Sequence, residues 1–477
     1  MMGPRWLRLA ILLPVLALAS CASPVGDGTR SVDRFEIKSR VPAFGGAAFE
    51  GAGIYEAISG VAHVRLHGDY VYPIDVDIVR PVDVAKSSRV MLVEVDATWG
   101  RQLGRLVNEG EPGNGFTMRR GHTLVWIGSK LNHVDARMLH DVALFLKSGQ
   151  ASPLADLRPD AAIAVGVGGA GQVVRGFIGQ GLNAAPGGGK VFDGAMPLMA
   201  GARGQFPFTY AVTTDPVSGQ TGGIFDKCQR NATCPKLMHV DSSSEFWTSK
   251  ASLVAADGAG NDVPLAPGVR AYLISSTQHM ADDRAVPGEC RQPSNTARQS
   301  PLVRALLDQM VAWIRTGKEP PPSRYPRRSD SMLTAPHRDA VGFPDLRAVG
   351  VGFPPALNGL RGYQLFVPMT DVDGHDIAGV RLPDIEVPLA TYTGWNLRRG
   401  PGAGSAELCG GTGMSVPIAP TPRAGDPRRA ISQRYASRID YAKAVAAAAR
   451  SLRDQGLLLQ EDVDRYIERA MRETRVP

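Results

Sequence analysis

Short apolar runs recur through the middle of the chain, separated by stretches in which apolar residues return every three or four positions. "RVMLVEV" (89–95), "HTLVWIG" (122–128), "AAIAVGVG" (161–168), "GAMPLMAG" (194–201), "KLMHVDSSSE" (236–245) and "VRAYLISSTQH" (269–279) read as strands. "DARMLHDVALFLKSG" (135–149), "GQVVRGFIGQGL" (171–182) and "SPLVRALLDQMVAWIRTG" (300–317) read as amphipathic helices. Continuous apolar strands that alternate with helices predict an α/β fold, a mostly parallel sheet covered on both faces. Upstream, "VAHVRLHGDYVYPIDVDIVRPVDV" (61–84) alternates apolar and polar residues around turn formers, which predicts a hairpin. Downstream, "YQLFVPMTDVDGHDIAGVRLP" (363–383) predicts another, followed by helices over "YAKAVAAAARSLRDQG" (441–456) and "LQEDVDRYIERAMRE" (459–473). No period expected of a solenoid or propeller is present.

The first residues break this pattern. Arg5 and Arg8 precede an apolar stretch from Leu9 to Ala19 that is too short to span a bilayer, followed by Leu18-Ala19-Ser20-Cys21. This reads as a signal peptide over 1–20 ending in a lipobox, with Cys21 as the acylated anchor. An ordinary cleavage site beside a chance cysteine is the alternative. Residues 21–47, polar with scattered Gly and Pro, read as a tether between lipid and domain. The expected location is the cell envelope, on a bacterial membrane and facing the periplasm, with the outer membrane favoured because Ala22 is not a retention aspartate.

Composition changes this picture in two places. Hydrophobic residues make up 43% of 477, enough for one large core or two ordinary ones. Four cysteines remain after Cys21, and an even number in an exported chain suggests disulfides. Cys228 and Cys234 bracket a short loop and are expected to pair, leaving Cys290 for Cys409; four free thiols are the alternative. Their spacing suits no zinc site, and no metal or cofactor is expected. The formal charge of +7 becomes +5 once Arg5 and Arg8 leave with the signal. The basic residues are spread along the chain rather than gathered on a stripe with aromatics, so no nucleic-acid partner is expected.

The stretch Gly166-Val167-Gly168-Gly169-Ala170-Gly171 admits two readings. A strand, GxGxxG and a helix, with Asp193 downstream, could bind a dinucleotide through Gly166, Gly168 and Gly171. Two buried strands precede it, however, and an exported chain folds where nicotinamide cofactors are scarce. The other reading is a nucleophile elbow, in which small residues surround a strained apex between strand and helix.

The second reading fits a resemblance that runs from about residue 50 to 470. The segments "GVGGAGQ" (166–172), "GLNAAPGGGKVFDGAMPLMAGA" (181–202), "CPKLMHVDSSSEFW" (234–247), "VRAYLISSTQH" (269–279) and "VPLATYTGWNLR" (387–398) resemble the bacterial α/β-hydrolase-domain family. Members of that family carry an elbow of the form G-V-S-Q-S-G-R. The resemblance implies the α/β-hydrolase fold, a core over 48–320 and a C-terminal extension over 321–477 packed on it. It also implies a triad in chain order, with Glu245 as acid and His279 as base, Asp241 being the alternate acid. The oxyanion hole would come from Gly171 and the segment 96–100, including Thr98 and Trp99.

The elbow lacks its serine. The family's Ser-Gln-Ser is replaced by Gly168-Gly169-Ala170, and alanine is expected at the apex. The expectation is therefore a carboxylesterase-like protein that has lost its catalytic serine. Such a pseudo-hydrolase would retain a pocket for an apolar or ester-like small molecule, or would bind an envelope protein. The alternative is an active ester hydrolase that uses His279 with a relocated nucleophile, such as Ser244, Ser275 or Ser276, or with an activated water.

Overall fold

The computed structural model describes residues 31–67, 70–95, 101–128, 136–281, 284–354, 362–400 and 407–477. Nine strands form its main sheet: β1 (Ser31–Pro42), β2 (Gly53–His67), β3 (Tyr70–Pro81), β4 (Val90–Val95), β5 (Thr123–Gly128), β6 (Ala161–Val167), β7 (Gly194–Leu198), β8 (Lys236–Ser242) and β9 (Val269–Ile274). A short strand, Ala48–Phe49, pairs alongside β2. The spatial order is β1-β2-β3-β5-β4-β6-β7-β8-β9. The pairs from β1 to β5 are antiparallel, and those from β5 to β9 are parallel. Order reverses once, at β4, so a crevice opens beyond the carboxyl ends of β4 and β6.

The period of two in β6 distributes its side chains between two cores. Ala162 and Ala164 face one layer, with Val174, Phe177 and Ile178 of helix Gly169–Gly179. Ile163, Val165 and Val167 face the other, with Leu302, Leu306 and Met310 of helix Ser300–Thr316. Helices Arg438–Asp454 and Gln460–Met471 cover this second layer. Among the described residues, no helix is long and apolar enough to cross a membrane.

Two expectations about organisation need correction. The tether over 21–47 is too long, because Ser31–Pro42 is an edge strand in register with β2 from Ser31↔Arg65 to Pro42↔Glu56. Its side chains are mostly exposed, so backbone pairing rather than apolar alternation holds it there. The hairpin over 363–383 is reduced to an isolated bridge, Thr370↔Asp376, around a turn, while Val367–Pro368 pairs with Leu333–Thr334.

The C-terminal segment is stitched onto the core. The Leu273 N–H donates to the Arg324 carbonyl (2.9 Å) and the Val380 N–H to the Leu273 carbonyl (2.8 Å), extending the sheet beyond β9. Buried Arg304 holds buried Asp462 through Nη2–Oδ1 (2.5 Å) and Nε–Oδ2 (3.0 Å). Two disulfides join Cys228 to Cys234 and Cys290 to Cys409. Cys21 and the leader lie outside the described residues.

Candidate functional site

Strand β6 ends at Val167, and the chain turns at Gly168 directly into helix Gly169–Gly179. Gly168 has φ 57° and ψ −115°, a conformation that strains any residue with a Cβ. Its neighbours make the turn possible. A Cβ on Gly166 would stand 2.4 Å from the Ala170 carbonyl carbon, and one on Gly171 would stand 2.8 Å from the Ala200 Cβ. Both glycines are needed so that the helix can lie this close to the strands beneath it.

The apex is therefore Gly168, and the expectation of Ala170 there is corrected. Ala170 belongs to the first turn of the helix and is buried, part of the core as well as of the cavity wall. A Cβ built on Gly168 would lie 3.0 Å from Nε2 of His279 and 3.1 Å from its Cε1. His279 thus faces the apex, and the apex carries no side chain.

Glu245 and His279 come together from two different strands. Glu245 occupies the first turn of helix Ser243–Thr248, directly after β8, and is wholly buried. Its Oε1 lies 2.6 Å from Nδ1 of His279, five residues beyond β9. Its Oε2 accepts from the Ser242 N–H (2.9 Å) and the Ser242 hydroxyl (2.5 Å), a capping box that fixes the carboxylate. The His279 N–H donates to the Gly411 carbonyl (3.0 Å), so the C-terminal segment also positions the ring. Burial draws the imidazole pKa down, but the hydrogen bond and charge of Glu245 outweigh it, leaving the pKa raised.

Asp241, the alternate acid, serves elsewhere. Its carboxylate is buried with His239 (2.7 Å to Nε2), the Tyr325 hydroxyl (2.6 Å) and the Gly201 N–H (2.8 Å). The candidate relocated serines are also engaged away from the apex. The Ser244 hydroxyl donates to the Gly411 carbonyl (3.2 Å), Ser275 donates to the Ala378 carbonyl, and Ser276 accepts from the Asp376 N–H (2.7 Å). None of the three lines the cavity above Gly168.

That cavity holds roughly 490 Å³. Gly169 borders it, and a Cβ there would meet nothing within 4 Å, whereas Gly171 is packed against Ala200 and Leu198. The donor that follows the apex is thus the Gly169 N–H, left without an intrahelical partner at the helix start, and Gly171 is corrected accordingly. Thr98 and Trp99 lie outside the described residues.

Sequence reasoning also missed Glu94, Arg105, Arg203 and Gly411, which line the same cavity from four separate segments. The signal that could have placed the apex was present: in G-x-S-x-G the nucleophile follows the first glycine by two residues, which is Gly168 after Gly166.

The dinucleotide reading does not survive the topology. Asp193 accepts from the Ala162 N–H (2.9 Å) and Lys147 Nζ (2.8 Å) at the start of β6. Six strand residues, about 20 Å, separate that end from Gly168. The acidic turn 371–376 is structural as well: Asp371 is bound by Arg381 (2.8 Å), and Asp373 is paired with Arg434 (2.7 Å).

A family match agrees with this architecture. Residues 108–468 match the family model described as alpha/beta hydrolase domain. No curated protein matches in sequence. Among solved structures, the chain is similar to brefeldin A esterase, a bacterial homologue of human hormone-sensitive lipase, at 12% identity and TM-score 0.21. That match covers 31% of this chain and 40% of the esterase. A thermostable esterase from Pseudomonas putida matches at 13% identity and TM-score 0.24, over 39% of this chain and 64% of its own. A serine hydrolase without a lid from Xanthomonas campestris matches at 14% and TM-score 0.22, over 39% and 72%. The chain thus spans less than two thirds of the length of the first two. The family match covers most of the chain, and the protein belongs to the alpha/beta hydrolase domain family.

Proposed function

We propose that this protein is a pseudo-hydrolase, an esterase-type scaffold that binds an ester or acyl ligand over Gly168 without forming an acyl-enzyme. One observation carries the reading. The backbone is bent into an elbow, the Glu245–His279 pair addresses its apex, and the residue at the apex is glycine. With no hydroxyl to attack, the covalent half of serine-hydrolase chemistry is lost, while the cavity and its helix-start N–H donor remain to hold a carbonyl compound. Two disulfides accord with an oxidising compartment, and the Leu18-Ala19-Ser20-Cys21 pattern supports a lipid anchor at the cell envelope.

A second reading rests on the intact acid–imidazole pair, which could activate a water in the space above Gly168. Fluorophosphonate labelling and hydrolysis of short p-nitrophenyl esters test both. The expected result is no labelling and no turnover above that of His279→Ala. Stoichiometric labelling at the cavity would overturn the proposal, and His279-dependent turnover without labelling would replace it with the water mechanism.

A further inference from the structure

The cavity over Gly168 has two guanidinium groups in its wall, Arg105 and Arg203. Among the described residues neither is paired with a carboxylate. Arg203 uses Nε on the Ser249 hydroxyl (2.8 Å), and Arg105 is exposed on the helix Gln102–Asn108. By contrast, the buried or half-buried Arg80, Arg304, Arg381 and Arg434 all hold acidic partners. The lining carboxylate, Glu94, is engaged by neutral donors. Its Oε1 accepts from the Gln102 and Leu103 N–H groups (2.9 Å each), and its Oε2 accepts from Trp126 Nε1 (2.8 Å).

The wall also carries the apolar side chains of Val167, Met199 and Met280, beside the polar ones of Gln102, Thr248 and His279. Arg105 and Met280 also border an adjoining polar recess of roughly 200 Å³, where the nearby carboxylate, Glu109, is paired with Arg298 and Arg304. A guanidinium fork matches a carboxylate in two parallel hydrogen bonds, and a neutral ester would leave both forks unused.

We infer that the ligand of this cavity is an acyl ester bearing a free carboxylate, bound through Arg105 and Arg203 with its acyl portion against Met199 and Met280. The inference rests on reading the cavity as a ligand site. His279, facing the same space, adds positive character whenever its ring is protonated.

Isothermal titration of the full chain with monoethyl adipate and its neutral diethyl ester decides the matter. The monoanion should bind at least about tenfold more tightly, and the ratio should shrink as salt rises from about 0.05 to 0.5 M. In Arg105→Gln/Arg203→Gln the ratio should approach one, with the melting transition retained because both side chains are exposed. Equal affinities in the wild type, or a preference that persists in the double variant, would overturn the inference while leaving a ligand cavity in place. If neither ester binds, the ligand-site reading fails, and the inference with it. If either ester is turned over, catalytic impairment fails instead, and the ratio of KM values then tests the same preference.

Discussion

Replacing Gly168 by serine would return a hydroxyl to a turn already shaped to present one. The Cβ would arrive 3.0 Å from His279 Nε2, tighter than ordinary contact, so the ring has to retreat by a few tenths of an ångström. It has room to do so, because the His279 side chain is 37% exposed while Glu245 behind it is fully enclosed. Loss of a triad serine costs on the order of a millionfold in turnover. The part that a retained acid–imidazole pair can restore is proton transfer, roughly a hundredfold to ten-thousandfold. Gly168→Ser should therefore hydrolyse p-nitrophenyl acetate at least about a hundredfold faster than wild type, which corresponds to ~2.7 kcal/mol of barrier. It should also take up one equivalent of fluorophosphonate, and both gains should vanish in Gly168→Ser/His279→Ala. A variant that folds, as shown by a cooperative melt, yet neither labels nor gains rate would refute the claim that Gly168 stands at the nucleophile position.

Three further outcomes follow from the surroundings. An NMR titration of His279 should show its raised pKa falling in Glu245→Gln. Because the folded value lies above the unfolded one of about 6.5, the stability contributed by the pair is complete below about pH 6.5 and fades as pH rises through the folded value, which pH-dependent melts of the two proteins will show. Buried Asp376 has its pKa pushed up to about 6 by desolvation, against the opposing pull of the Ser276 N–H. Asp376→Asn should stabilise the protein by up to about 3 kcal/mol above pH 6, and the gain should disappear below about pH 4 in urea titrations. Opening Cys290–Cys409, a bridge across 119 residues, by Cys409→Ser should cost on the order of 4–5 kcal/mol in the chain-entropy account. It should also loosen Gly411 from His279, visible as faster exchange of the His279 amide.

Much of the sheet was legible because its strands are buried on both faces. The run 161–167 is apolar throughout and 269–274 is interrupted only by Arg270, and helix Ser300–Thr316 follows its stripe almost to the residue. Ser31–Pro42 was illegible for the opposite reason, since an edge strand with exposed side chains has no apolar pattern to read. The short helix Gln102–Asn108 is started by the Glu94 side chain from eight residues away, a signal outside any local window. In the turn 371–376 the acidic side chains are claimed by Arg381 and Arg434, one nearby and one distant, which favours a compact turn over paired strands. For the site, Glu245 and His279 were named from the family pattern, and their 2.6 Å contact is a matter of tertiary placement that no spacing encodes. Ala170 alone in Gly168-Gly169-Ala170-Gly171 keeps a Cβ, yet it lies in the helix's first turn. Backbone geometry, not side-chain content, fixes an apex.

That geometry makes a prediction in which adding a methyl at Gly168 and removing one at Ala170 must both cost stability. At φ 57° and ψ −115° an L-residue is strained by about 1–3 kcal/mol, a cost accepted in a hydrolase because the hydroxyl must be presented there. Glycine at this position relieves that strain. Gly168→Ala should then lose about 1–3 kcal/mol in urea denaturation, with the close approach to His279 adding to the loss. Ala170→Gly sits in a helical first turn, where removing the methyl costs roughly 0.5–1 kcal/mol. Were Ala170 the strained apex, both outcomes would differ: Ala170→Gly would stabilise and Gly168→Ala would be nearly neutral. The two denaturation curves therefore separate a vacated nucleophile position from a stretch of small residues without special geometry, and they do so without reference to any substrate.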